Sequence, residues 1–257
     1  MYFYIHWTTC RCIITLKLGH FLIPKDCVFN VRWITLTIGP IAFLFKTQFR
    51  RLCSGLFTNS VIRSRGTMTI LCIGDSHVKR FGAYIGNRRA PSELFDIVNL
   101  PQVDFFGISG GAVNNSRHLE TVLAAVQHYR PTCLIVQLGG NDLDCSDVTV
   151  DSVIYKLVAF LTQIRRQFNI NHITVLRFMP RERTRHIDPH AYNARVVRAN
   201  AILKNQCGQV GLIYWRMKGF TNSRNNIFSD GVHLNSLGMR KYFRQLRGIL
   251  LSLHQTF

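Results

Sequence analysis

From Met68 onward, short β-rich runs alternate with amphipathic helical stretches, and this alternation limits the possible folds more than any other feature. The runs predicted as strands are residues 68–73, 103–108, 132–138, 173–178 and 210–215. Between them, apolar residues recur at helical spacing, as in Leu119, Val122, Leu123 and Val126. Strands and helices in alternation form a parallel sheet covered on both faces. The pattern therefore predicts an α/β fold: a three-layer α/β/α sandwich with a doubly wound, mainly parallel five-stranded sheet.

Polar residues fall at the ends of the predicted strands. These segments are residues 74–76 (GDS) after the first strand, 109–111 (SGG) after the second, 139–142 (GGND) after the third and 230–233 (DGVH) before the last helix. In an open parallel sheet, ligands bind beyond the carboxyl ends of the strands. The four segments are therefore predicted to meet at one edge of the sheet and to form a site there.

Ser76 is the candidate nucleophile of this site. It ends a strand and opens a helix whose apolar face includes Val78, Phe81 and Ile85. Its hydroxyl would lie at a helix N-terminus, where free N–H groups favour developing negative charge. A simpler interpretation is that Asp75 and Ser76 only cap that helix.

A serine nucleophile can carry out acyl transfer. This reaction also needs a base, a group that orients the base, and hydrogen-bond donors for the oxyanion. His233 is the candidate base, and Asp230 can fix its tautomer if the segment turns back. The Asn141 amide and the backbone N–H groups of Gly110 and Ser76 are candidate oxyanion donors. Each has a simpler interpretation: a solvated turn for Asp230 and His233, a turn residue for Gly110, and a loop or cap for Asn141.

The four segments, in this order and within one domain, resemble the four blocks of the SGNH (GDSL-type) serine hydrolases. Residues 107–142 look especially like the thioesterase and lysophospholipase branch of that family. The resemblance covers residues 68–253 and implies the flavodoxin-like fold of the family. His77 stands where the family usually has Leu, but that position is not catalytic, so the departure leaves the interpretation intact.

The resemblance assigns a role to each matching residue. It implies Ser76 as the nucleophile, Asp230 and His233 as its catalytic partners, and an oxyanion hole made by Ser76, Gly110 and Asn141. The expected activity is hydrolysis of a small carboxylic ester or thioester through an acyl-enzyme. No metal and no organic cofactor are expected.

The charge of the chain supports a second hypothesis. Lys and Arg number 32 against 13 Asp and Glu, a formal net charge of +19. Such a field attracts polyanions and anionic surfaces. The alternative to an esterase is therefore a non-catalytic module that binds nucleic acid or an anionic surface on an SGNH scaffold, of mobile-element origin. The intact set of catalytic residue types favours the enzyme.

Residues 1–67 differ in composition from the rest of the chain. They are basic and apolar, and Asp26 is their one acidic residue. We find no sustained helical or strand period in them and place a domain boundary between residues 67 and 68. The expectation is a disordered or interfacial extension, or upstream sequence before a functional start at Met68. Targeting to an organelle or contact with a membrane surface, for which the apolar run 33–45 is the candidate, is the alternative to a cytoplasmic location.

Two further groups of residues complete the sequence-based hypotheses. Arg181 follows the fourth predicted strand on the same sheet edge and is a candidate ligand for an anionic substrate group, with a solvated loop as the alternative. Cys72 and Cys133 lie in apolar strand-like runs and are interpreted as buried structural thiols, since the eight cysteines lack zinc-site spacing.

Overall fold

The structure is a computed structural model that describes residues 2–8, 11–17, 68–86, 95–220 and 226–255. The chain divides into two units, Met1–Arg65 and Gly66–Phe257. In the first unit, strands β1 (Tyr2–Thr8) and β2 (Arg11–Lys17) pair antiparallel. This hairpin was not predicted, because its aromatic and β-branched residues favour a strand without the regular alternation of apolar and polar residues that identifies one in a sequence. The apolar run 33–45 lies outside the described residues.

The second unit contains a five-stranded parallel sheet. Its strands are β3 (Thr69–Gly74), β4 (Gln102–Gly107), β5 (Cys133–Gln137), β6 (His172–Leu176) and β7 (Ile213–Trp215). They are arranged in the order β4-β3-β5-β6-β7, and every neighbouring pair is parallel. This is the strand order of flavodoxin-like doubly wound sheets. The predicted fold class is confirmed.

Five α-helices accompany this sheet in the part of the chain that the structure describes. They are α1 (Ser76–Gly86), α2 (Ser116–Tyr129), α3 (Val150–Phe168), α4 (Pro189–Val210) and α5 (Ser236–His254). Side chains of Asn115, Thr149, Asp188 and Asn235 accept backbone N–H bonds at the starts of α2 to α5. These residue types are preferred helix caps, so the sequence itself sets where the helices begin.

The helices divide between two hydrophobic clusters, one for each face of the sheet. Side chains of a strand point alternately to opposite faces. Accordingly, Leu71 and Ile73 of β3 belong to the cluster that contains buried residues of α2, α3 and α4. Ile70 and Cys72 belong to the cluster that contains those of α1 and α5. The sheet thus has helices on both faces, and its strand ends are left open for a site.

One predicted boundary is wrong. The last strand was predicted to start at Val210, but α4 continues to Val210, and β7 has only three residues. Gly211 ends the helix with a φ of 70°, a left-handed conformation that glycine adopts readily. The β-branched side chain of Val210 suggested a strand, and the helix cap after it overrides that preference. No helix among the described residues is both long and apolar enough to span a bilayer.

We expect residues 68–257, expressed without residues 1–67, to fold and to keep their activity. Among the residues whose side chains the structure describes, both hydrophobic clusters of the second unit are built from position 68 onward. Circular dichroism, thermal unfolding and turnover of the fragment beside the full-length chain would test this. An unfolded fragment beside a soluble full-length protein would move the domain boundary toward the N-terminus.

Candidate active site

Ser76 lies at a tight turn between β3 and α1. The backbone N–H of Asp75 donates to the carbonyl of Gln137 on the neighbouring strand at 3.0 Å, and α1 begins at the next residue. A Cβ on Gly74 would lie 2.1 Å from that same carbonyl oxygen. Only glycine allows the two strands to approach so closely at this point. The turn therefore presents Ser76 at both the sheet edge and the N-terminus of a helix.

Ser76, His233 and Asp230 are brought together in one line of contacts. Ser76 Oγ lies 3.2 Å from His233 Nε2. On the other side of the ring, His233 Nδ1 lies 2.6 Å from Asp230 Oδ2. Ser76 and His233 are 157 residues apart in the chain, so the fold and not local sequence creates their contact. The arrangement has the order nucleophile, base and orienting carboxylate.

The environment of Asp230 keeps its carboxylate charged. Desolvation opposes ionisation, but hydrogen bonds from the His233 ring and from the backbone N–H groups of His233 and Val232 prevail. Together they hold the pKa of Asp230 well below its usual range. Asp230 Oδ1 accepts these backbone bonds at 2.6 Å and 2.9 Å. One carboxylate thus orients both the imidazole and the backbone that carries it.

The segment around His233 is fastened to the loop after β6. Gly231 has a φ of 82°, and its carbonyl accepts bonds from the backbone N–H groups of Glu182 and Arg183 at 2.8 Å and 3.2 Å. A Cβ at Gly231 would lie 2.7 Å from Arg183 Cγ. Both the backbone conformation and the space therefore require glycine here. The loop that carries Asp230 and His233 has little freedom to move.

Gly110 and Asn141 are brought to the same edge of the sheet. Gly110 has a φ of 70° in the turn after β4. The Asn141 amide Nδ2 donates to the carbonyl of Gly111 at 2.9 Å and so joins the loops after β4 and β5. The structure joins Ser76, His233 and Asp230 by direct contacts and places Gly110 and Asn141 in the loops at the same edge of the sheet. The roles of these five residues stay predictions.

Asp142 fastens these two loops further. Its buried carboxylate accepts bonds from the backbone N–H groups of Val113 and Asn114 at 2.7 Å and 2.8 Å. Burial raises the pKa of Asp142 although these donors oppose the shift. The sequence alone indicates no more than a loop or cap at this residue. The local sequence could not predict that Asp142 joins the two loops, because its hydrogen-bond partners lie 28 and 29 residues away.

Arg181 is buried and contacts the Asn141 side chain. It is only 5% exposed, and its Nη2 donates to Asn141 Oδ1 at 2.7 Å. Its Nη1 lies 3.4 Å from Asp144 Oδ2, and its guanidinium carbon is 4.9 Å from the centre of the Tyr192 ring. The sequence suggested Arg181 as a substrate ligand. In the structure its contacts are with protein groups that support the site, and a role in substrate binding stays a prediction.

Asp75 and His77 flank the nucleophile and were not predicted to contribute to the site. Asp75 is 2% exposed, and its Oδ1 accepts the backbone N–H of His77 at 2.9 Å and faces His77 Nδ1 at 3.1 Å. Burial favours the neutral acid, but His77 and the more distant Arg181 lower the pKa of Asp75 below its usual range. A histidine directly after the candidate serine was the available signal, but the family resemblance gives that position no catalytic role.

One small cavity lies beside the candidate site, and a larger groove lies elsewhere on the described part of the chain. A cavity of about 10 Å³, roughly the space of one water molecule, lies among Asp75, His77, Gly140, Arg181 and Tyr192. A larger groove of about 620 Å³ lies along α3 and α4, and none of its lining residues is a candidate site residue. Within residues 68–86, 95–220 and 226–255, no three His, Cys, Asp or Glu side chains are grouped as a metal site. Cys72 and Cys133 are buried and unpaired, as predicted.

The comparison with protein families bears directly on this arrangement. The GDSL-like Lipase/Acylhydrolase family matches residues 72–241, which run from the strand before Ser76 to the helix after His233. The chain belongs to this family. The resemblance to the GDSL-type hydrolases is therefore confirmed, and acyl hydrolysis is the activity associated with the family. The likeness to the thioesterase and lysophospholipase branch stays a prediction. No curated protein sequence matches the chain.

Solved structures of the same fold support the architecture. A GDSL-like lipase from Bacteroides thetaiotaomicron superposes with a TM-score of 0.58 at 12% identity, covering 80% of this chain and 97% of the lipase. An acetyl xylan esterase has a TM-score of 0.57 at 18% identity, with coverage of 71% and 99%. A substituted acetyl esterase with an acetate ion has a TM-score of 0.53 at 18% identity, with coverage of 74% and 99%. At these identities the similarity establishes the fold.

Proposed function

We propose that this family member is a serine esterase that hydrolyses carboxylic esters and thioesters through an acyl-enzyme on Ser76. The observation that supports this most is the continuous line of contacts from Ser76 Oγ through the His233 ring to Asp230, with steps of 3.2 Å and 2.6 Å. Both distances are within the range for a nucleophile, its base and an orienting carboxylate.

In the first half of the reaction, the neutral His233 ring accepts the Ser76 proton at Nε2 while Ser76 Oγ attacks the carbonyl carbon. The Asp230 carboxylate stabilises the imidazolium that forms. Negative charge develops on the former carbonyl oxygen, toward which the Asn141 amide and the N–H groups of Ser76 and Gly110 would be directed. His233 then protonates the leaving alcohol or thiol, and the acyl group remains on Ser76.

In the second half, water replaces the leaving group. His233 Nε2 accepts a proton from the water as it attacks the acyl carbonyl, and the same donors stabilise the second oxyanion. Collapse of this intermediate returns the proton to Ser76 and releases the acid. All steps use side chains and backbone N–H groups of this chain, and none requires a cofactor.

Arg181 prepares the Asn141 amide for this task. Its guanidinium donates to Asn141 Oδ1 at 2.7 Å, which fixes the oxygen of the amide toward the protein and its NH₂ group toward the loop of Gly110. The positive guanidinium next to the amide oxygen also polarises the amide and makes its N–H groups stronger donors. Asn141 is therefore a preorganised oxyanion donor in this proposal.

Replacing Asn141 with alanine should lower turnover by about two to three orders of magnitude, the usual loss for one oxyanion donor. Steady-state kinetics on a nitrophenyl ester would measure the change. Asn205→Ala, at an exposed position of α4, is the matched control and should keep its rate. If Asn141→Ala folds and turns over like the control, Asn141 has no part in the mechanism.

A substrate panel tests the proposed function as a whole. Purified protein would be offered nitrophenyl esters and acyl thioesters of increasing chain length, and in parallel a fluorophosphonate probe. We expect turnover of at least one ester and labelling of Ser76. Absence of both turnover and labelling in folded protein would reject the serine esterase.

The net charge of +19 supports the second candidate, a module that binds nucleic acid or an anionic surface. Nucleic-acid binding driven by charge weakens steeply as salt rises, because counterions are released on binding. Titrating DNA and RNA across salt concentrations, beside the ester assay, separates the two functions. Steeply salt-dependent binding without any turnover would favour the second candidate.

A further inference from the structure

His77 follows the proposed nucleophile and connects two parts of the site. It lies in the first turn of α1 and is 5% exposed. Its Nδ1 is 3.1 Å from Asp75 Oδ1, and its Nε2 is 3.0 Å from the carbonyl oxygen of Val232. The second contact joins residues that are 155 positions apart in the chain. His77 thus joins the turn that presents Ser76 to the loop that carries His233.

The two partners of the His77 ring determine its charge. An ionised carboxylate and a backbone carbonyl can accept hydrogen bonds but cannot donate them. A neutral imidazole carries a hydrogen on only one of its two ring nitrogens. The other nitrogen would then point its lone pair at the oxygen atom that it faces, either Asp75 Oδ1 or the Val232 carbonyl. Only the imidazolium, with a hydrogen on both nitrogens, satisfies both contacts. The geometry therefore favours a positively charged His77.

Among the charged groups near His77, the Asp75 carboxylate favours the imidazolium, and the Arg181 guanidinium opposes it. Asp75 is in direct contact, and the His233 ring centre lies 5.9 Å away. Arg181 and Tyr192 line the same small cavity as His77 and Asp75. Burial raises the pKa of Tyr192 to about 12, so its phenol stays neutral. On α5, burial also raises the pKa of Tyr242, which leaves that phenol neutral as well.

Within the connected group of Asp75, His77, Asp144 and Arg181, the charges add up to zero when His77 is positive. Asp142 is also buried, but its carboxylate bonds to backbone N–H groups outside this group. Asp75 and Asp144 contribute two negative charges, and Arg181 and His77 contribute two positive ones. All four side chains are buried, and uncompensated charge is costly in such a place. A neutral His77 would leave this group with one unbalanced negative charge.

The peptide unit between Val232 and His233 is held at both ends. Its carbonyl oxygen faces His77 Nε2 at 3.0 Å, and its N–H donates to Asp230 Oδ1 at 2.6 Å. A peptide unit is planar, so two such bonds fix its orientation. The His233 side chain starts from this unit, and the position of its ring over Ser76 depends on that orientation.

We propose that His77 is a positioning residue which, as an imidazolium held by Asp75, binds the Val232 carbonyl and keeps the His233 ring within reach of Ser76. This inference deepens the proposed serine esterase and rests on it. His77 touches neither the substrate nor the reacting atoms and acts through His233.

The charge of His77 can be measured without any assay of activity. In full-length protein labelled with ¹⁵N on histidine, two-dimensional NMR distinguishes a ring with two protonated nitrogens from either neutral tautomer. We expect His77 to show two protonated nitrogens at a pH where the enzyme turns over, with His77→Gln used to assign its signals. A neutral His77 ring under those conditions would overturn the inference.

Two substitutions separate the contacts of His77. In His77→Gln, the longer amide can still donate to the Val232 carbonyl but cannot reproduce the Nδ1 bond to Asp75. In His77→Asn, the shorter amide can still donate to Asp75 but does not reach Val232. Because displacing a catalytic group by about 1 Å can cost about 10²-fold, we expect turnover of the Asn variant to fall by up to about 10²-fold. The Gln variant should lose less, and KM should change little in either.

A control completes the test. His128→Asn, at an exposed position of α2, should leave turnover and KM unchanged. Equal turnover of wild type, Gln and Asn variants would overturn the inference while leaving the serine esterase intact. Absent turnover and labelling in the wild type would reject the esterase itself.

Discussion

Replacing Ser76 with alanine should lower the turnover number of an ester substrate by about four or more orders of magnitude, the loss expected when the nucleophile of a triad is removed. The substitution deletes one oxygen atom at the first position of α1 and leaves the buried residues of that helix untouched. Circular dichroism and thermal unfolding should therefore resemble those of the wild type. Steady-state kinetics and fluorophosphonate labelling would measure the loss.

Ser146→Ala is the matched control, because Ser146 is an exposed serine in the loop before α3. It should keep both turnover and labelling. Mass spectrometry of the labelled wild-type peptide should locate the probe on Ser76. A Ser76→Ala protein that is still labelled would show that the reactive serine lies elsewhere, and the proposed mechanism would be wrong.

Replacing Asp230 with asparagine should reduce turnover by up to about four orders of magnitude, because the amide can stabilise the wrong tautomer of His233. His233→Ala removes the base itself and should cost at least as much. Asp147→Asn, at an exposed position of the loop before α3, is the control and should keep its rate. Kinetics of all three variants on one substrate would rank the contributions of base and carboxylate.

The pH dependence of these variants follows from which group titrates. As general base, His233 must be neutral, so turnover should fall as acid protonates it. The depressed pKa of Asp230 means that its charge persists to strongly acidic pH. Any stability that this charge contributes is fully present above the usual carboxyl pKa and is lost as pH falls from there toward the depressed pKa. Asp230 therefore does not account for a decline in turnover that sets in at less acidic pH. If His233→Ala kept its rate and the same acid decline, another base would be at work.

The sequence predicted the fold well because alternating strands and helices leave few possible arrangements. Every predicted strand corresponds to a strand of the sheet, and the largest error is at Val210, where a local cap decides the boundary. The hairpin of residues 2–17 was missed because its residues favour a strand without the expected alternation. Local composition and periodicity thus predicted the elements, and the ends of those elements depended on single residues.

The sequence predicted those residues of the candidate site that lie at the ends of strands. Ser76, Gly110 and Asn141 follow strands directly, and the strand order brings them together. Supporting contacts were not predictable, because Arg181 reaches Asn141 across 40 positions and His77 reaches Val232 across 155. Such pairs have no signature in a single sequence. These contacts form only when the fold brings residues that are distant in the sequence close together.

The balanced set of buried charges has a consequence for how this protein can change. Asp75, His77, Asp144 and Arg181 lie within one connected group, so the free-energy effects of substituting them are not expected to add. Removing either member of an oppositely charged pair leaves the other uncompensated, whereas removing both restores neutrality. The free-energy effect of one substitution in this group therefore depends on whether another member has already been replaced. A second substitution can restore stability that the first one removed. If His77 carries the proposed charge, a substitution at position 77 changes the charge balance of Asp75, Asp144 and Arg181.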